Sequence, residues 1–146
     1  MGKNRSTVRA RGVAIFAVLA VLLLTGCEDF FASGWGFNVS GQVGDGTAEN
    51  TSVPMVVDTS GVLDGKTITQ ISAGYTHSCA LTSEGTVACW GSNTWGELGV
   101  PGISQSTTPV PIVPPPVLGT KVLTNVSAGY GTTCAVATDG TTACWG

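Results

Sequence analysis

The chain has one histidine, His77, and any Ser-His or His-metal site would have to be built around it. Ser78 beside it has no activating partner at a recognisable spacing. Of the five cysteines, Cys79 and Cys89 are separated by the same interval as Cys134 and Cys144, with Cys27 standing apart. That interval is too long for a zinc knuckle, and a single imidazole adds little, so no metal site is expected. The glycine-rich piece Gly41-Gln42-Val43-Gly44-Asp45-Gly46 lacks both the Gly-Lys-Ser/Thr ending and the following helix pattern of a phosphate-binding loop, so no nucleotide cofactor is expected. A glycan hydrolase would need convergent carboxylates. The acidic residues of the repeat region share no such pattern, Glu84 and Asp139 being the one corresponding pair within it. The chain is therefore read as noncatalytic.

These residues sit in a repeat with a period of 55 residues. Trp35-Gly36, Trp90-Gly91 and Trp145-Gly146 keep that interval, as do Asn38 and Asn93. Gly41-Gln42-Val43-Gly44 falls on Gly96-Glu97-Leu98-Gly99, and Ser72-Ala73-Gly74-Tyr75 on Ser127-Ala128-Gly129-Tyr130. His77 corresponds to Thr132, so the scaffold does not demand an imidazole there. The recurring tryptophans are expected to be buried between units. Trp95 corresponds to Ser40, and an aromatic outside the repeat, beside a turn, is a candidate binding anchor.

Each unit reads as four short strands of an all-β fold. Ile68 to Ala73, Thr76 to Thr82 and Thr86 to Gly91 are the first three, with Gly74 expected to supply positive φ at the first turn. Pro109 to Val113 is the fourth, and its prolines confine it to a sheet edge. Ser83-Glu84-Gly85 and Thr138-Asp139-Gly140 are three-residue hairpin loops that pair Thr82 with Thr86 and Ala137 with Thr141. In that register Cys79 lies opposite Cys89 and Cys134 opposite Cys144, close enough for two cross-strand disulfides. The alternative is four reduced, buried thiols.

The N-terminus fixes the compartment. Lys3, Arg5, Arg9 and Arg11 precede an apolar run from Val13 to Leu24, too short for the roughly 20 residues that cross a bilayer, so residues 1–26 read as a signal peptide. Leu24-Thr25-Gly26-Cys27 resembles the lipobox of bacterial lipoproteins, which implies a lipidated Cys27 as the first mature residue, a linker over 27–34 and a repeat domain over 35–146. Processing would leave two basic against nine acidic residues, a net charge of about −7, which argues against nucleic acid as a partner.

The run from Ala73 to Gly99 carries a further likeness. Gly74, His77-Ser78, Ala80-Leu81, Gly85, Val87, Trp90-Gly91, Asn93, Gly96 and Leu98-Gly99 resemble the repeat of the regulator of chromosome condensation family. The resemblance implies β-propeller blades of four antiparallel strands, seven to a ring, with His77 packed and hydrogen-bonded inside its blade. Seven units would need about 385 residues, and this chain of 146 holds about two, so it reads as a fragment of a longer propeller. The family's namesake promotes guanine nucleotide exchange on a small GTPase. That activity is not carried over, because the likeness lies in scaffold residues. The expectation is a module lipid-anchored in a bacterial cell envelope that binds a protein or cell-wall ligand. Enzyme inhibition, known in an exported propeller of this type, is the alternative, and a glycan-active enzyme scaffold ranks below it.

Overall fold

The computed structural model describes residues 32–146, and they form nine strands and no helix. The expected signal peptide 1–26, Cys27 and the expected linker 27–34 as far as residue 31 lie outside the described residues, while Ser33 and Gly34 at the end of that linker already belong to the first strand. The strands are β1 (Ser33–Gly36), β2 (Thr51–Val56), β3 (Ile68–Ala73), β4 (His77–Thr82), β5 (Val87–Ser92), β6 (Gln105–Pro111), β7 (Leu123–Ala128), β8 (Thr133–Ala137) and β9 (Thr142–Trp145). They make three antiparallel sheets, β1-β2, β3-β4-β5-β6 and β7-β8-β9. The middle sheet is a complete four-stranded blade. By the 55-residue offset, β1 and β2 are the third and fourth strands of the blade before it, and β7 to β9 the first three of the blade after it.

The hairpins follow from their turn residues. Gly85 takes a φ of +74° and Gly140 one of +83°, conformations that a side chain resists. Thr82 N donates to Thr86 O at 2.9 Å and Ala137 N to Thr141 O at 2.8 Å, which pins both registers. The fourth strand occupies Gln105–Pro111, earlier than the Pro109 to Val113 expected, because its ladder to β5 begins at Gln105↔Ser92 and the proline run leads the chain away into a turn. It lies at the edge of its sheet, where the missing proline donors cost least.

Strand alternation then builds two cores, one on each face of the middle blade. Ala80, Ala88 and Trp90 point one way and pack with Val57 and Leu63. Cys79, Leu81, Val87 and Cys89 point the other way and pack with Leu98, Leu118, Leu123, Val126, Ala135 and Ala137. The loop leucines Leu63 and Leu118, at equal phase, cap one core each.

Two expectations are corrected here. Gly74 does not have positive φ; it is glycine for lack of space, since a Cβ would run into Gly129 O and come within 2.9 Å of His77 Cε1. Trp90 is buried at 1% exposure, but Trp35 at the same phase is 63% exposed. Trp90 lies against the corner at Gly44 of the preceding blade, and Trp145 against Gly99. Trp35 has no such corner among the described residues.

Candidate functional site

The polar side chains that first suggested chemistry are spent on holding blades together. Ser78 Oγ donates to Gln42 O at 2.8 Å, and Trp90 Nε1 donates to the same carbonyl at 2.9 Å. One unit later the pattern recurs: Thr133 Oγ1 donates to Glu97 O at 2.6 Å and Trp145 Nε1 to it at 3.2 Å. Each blade thus hands a hydroxyl and an indole N–H to one backbone carbonyl of the blade before it. Ser78 is a structural donor between blades.

His77 is fully buried, and its partner lies across the blade boundary instead of inside its own blade. Its Nε2 sits 2.8 Å from Thr133 Oγ1. The threonine's one hydroxyl proton already goes to Glu97 O, so Thr133 accepts from His77, and the ring carries its proton on Nε2. Nδ1 is then a bare acceptor with no partner among the described residues. Burial disfavours the imidazolium and lowers the His77 pKa, with the Glu97 carboxylate opposing weakly.

The cysteines form two disulfides, Cys79–Cys89 and Cys134–Cys144, each between residues directly opposite in the ladder with Cα atoms 4.0 Å apart. The corresponding turn acids also have a reason in the structure. Lys66 pairs with Glu84, and one period on Lys121 pairs with Asp139 at 2.9 Å, which with the Thr141 backbone N–H holds the Asp139 carboxyl well below the usual range.

Other polar clamps gave no signal as single residues. Gln70 in β3 bonds both ways to Val126 in β7, Nε2 to the carbonyl at 2.8 Å and Oε1 from the amide at 3.1 Å, while Ser72 Oγ accepts from Ala128 N at 2.8 Å. Asn38 and Asn93, visible as a recurring pair, each organise a corner: Oδ1 accepts from Val43 N or Leu98 N, and Nδ2 donates to two loop carbonyls.

Three exposed aromatic side chains stack on one another at the second blade boundary. Tyr75 and Tyr130, in the turns after β3 and β7, stack with centroids 4.7 Å apart, and Trp95 stacks on Tyr130 at 5.9 Å. They are 63%, 67% and 55% exposed. Trp95, Tyr130, Gly131, Thr132 and Gly146 line an open depression of about 450 Å³ with no acidic or basic amino-acid side chain (Asp, Glu, His, Lys or Arg) among them. Trp95 was legible as a nonrepeated aromatic; the two tyrosines were legible only as repeat residues.

The comparisons with known proteins agree with this scaffold. Models of the regulator of chromosome condensation (RCC1) repeat match residues 34–81 and 84–136, and a second model of that repeat matches 68–96. The ultraviolet-B receptor UVR8 of Arabidopsis thaliana is 32% identical over 112 residues, which is 77% of this chain and 24% of that protein. Alsin of Rattus norvegicus is 38% identical over 97 residues, 66% of this chain and 6% of that protein. The chain therefore spans a quarter or less of the length of these relatives. Among solved structures, yeast RCC1 (Prp20) bound to Kap60 superposes with a TM-score of 0.69 at 23% identity, over 82% of this chain and 28% of that one. Human WBSCR16 gives 0.67 at 23% identity, over 80% and 28%. With blade hairpins, corner asparagines and interblade tryptophans recurring at one period and the repeat models covering most of its length, the chain belongs to the regulator of chromosome condensation (RCC1) repeat family.

Proposed function

We propose that this chain is part of a noncatalytic propeller module, tethered to the outside of a bacterial membrane through a lipidated Cys27, that binds a protein or cell-surface ligand through one face of its blades. The observation that carries the binding role is the exposed Tyr75, Tyr130 and Trp95 stack, set on blades whose Ser78 and Thr133 hydroxyls are committed to holding them together. The noncatalytic reading rests on His77 and Ser78, the one being buried and bonded to Thr133 and the other bonded to Gln42. Tethering rests on the apolar run and Leu24-Thr25-Gly26-Cys27.

Expression in a bacterial host with Cys27→Ser as the nonlipidated control tests the tether. The native chain should sediment with membranes and carry a lipid-mass increment on Cys27, and the variant should do neither. Equal sedimentation of both would remove the anchor from this reading. Pull-down from envelope extracts with the two forms tests the binding role, and hydrolysis of a polysaccharide without retention of any ligand would replace the module with an enzyme.

A further inference from the structure

Two departures from the repeat meet at the aromatic stack, and they fit each other. At the boundary between the first and second blades the corner residue is Ser40 and the turn residue Thr76. At the next boundary the corresponding residues are Trp95 and Gly131. A Cβ on Gly131 would lie 2.6 Å from Trp95 Cε3, so the threonine of the earlier boundary could not stand beneath this indole. The backbone underneath is the same at both boundaries: Ser40 N donates to Gln42 Oε1 at 3.0 Å, and Trp95 N to Glu97 Oε2 at 2.8 Å. On the same backbone, the second boundary carries a large ring on one side and no side chain on the other.

We propose that Trp95, Tyr130 and Tyr75 form a platform for an uncharged glycan chain, a reading that rests on the binding module above and names its ligand class. Stacked on one another, the three rings still leave more than half of their surface exposed, an apolar ridge with polar tips at the phenol oxygens that matches a ligand with an apolar face and a polar rim, as a pyranose has. The depression beside them is lined by Trp95, Tyr130, Gly131, Thr132 and Gly146. Its wall offers neither a cation for a polyanion nor a carboxylate for a basic peptide. The surrounding domain is acidic, and its long-range field disfavours anionic polymers.

The test uses the full chain in a detergent without sugar headgroups, titrated with chitohexaose and with cellohexaose while tryptophan fluorescence and calorimetric heat are followed. Saturable binding with a dissociation constant on the order of 1 mM or tighter is expected for at least one of them. Trp95→Ala should weaken it at least about tenfold, the scale of loss at an aromatic anchor. Gly131→Thr, which copies the earlier boundary and lifts the indole from its seat, should do the same. Circular dichroism and disulfide content, checked in both variants, should be unchanged. Absence of binding to either oligosaccharide, or binding indifferent to both substitutions, overturns the proposal. So does a lysine-rich peptide that saturates the Trp95 signal where the sugars do not; that result would leave the binding module standing with a different ligand.

Discussion

His77 shows how one residue can look catalytic in a sequence and be structural in the fold. Its Nε2–H reaches Thr133 of the next blade and its Nδ1 is buried without a partner, so the neutral ring fits the site and the imidazolium does not. Burial lowers the pKa from 6.5. Between the folded and the ordinary value the unfolded chain binds more protons than the native one, so stability is complete above about pH 6.5 and falls as pH drops through the folded pKa. Thermal unfolding followed from pH 7.5 to 5 should show this decline. His77→Gln, whose amide N–H can still reach Thr133 Oγ1 and which does not titrate, should flatten the curve over that window. Asp139 and Asp58, both held below their ordinary values, contribute their slope at lower pH and leave this window clear. An unchanged slope in the variant would move the effect to another group.

At the scale of strands and hairpins, the disulfides and the interblade latch are the elements with measurable weight. Each disulfide closes a loop between residues 10 apart in sequence, which the chain-entropy model values at roughly 3 kcal/mol less any strain. Removing the first with paired Cys79→Ala and Cys89→Ala should lower unfolding stability in urea by about 2–3 kcal/mol. Mass spectrometry without reduction should find no free thiol at Cys79, Cys89, Cys134 or Cys144. Trp90→Phe, which gives up the bond to Gln42 O but keeps most of the ring's packing, should cost about 1 kcal/mol, against 3–5 kcal/mol for Trp90→Ala. The cysteine pairing was legible in the sequence because a three-residue loop ending in glycine fixes hairpin register locally. The Gln70 clamp, the Thr133 bond to His77 and the Tyr75 to Tyr130 stack were not. All three join residues 55 or 56 apart that meet only when one blade lies on the next, and periodicity reports equivalence between units, not contact between them. Trp35 makes the same point in reverse, since equal phase with Trp90 gives equal burial only where a neighbouring corner covers it.

For the molecule as a whole, the two cores are separate, each lying between one pair of neighbouring sheets. Stability in such an array is a sum of blade terms and nearest-neighbour terms, so damage at one boundary should stay there. Val126 is fully buried in the core between the second and third sheets, whereas Ile71, its counterpart one period earlier, is 46% exposed. Val126→Ala removes two methyl groups from a packed interface and should cost on the order of 2 kcal/mol, while Ile71→Val removes one methylene from a half-exposed side chain and should cost less. Native-state hydrogen exchange gives the spatial readout. In Val126→Ala, amides of β7 to β9 should exchange faster while those buried beside Trp90, in β4 and β5, keep their protection. Uniform acceleration across all three sheets would mean that the blades unfold as one unit. In that case the Trp95 platform, which takes its tryptophan from one blade and its tyrosines from two, would be only as rigid as the weakest boundary in the array.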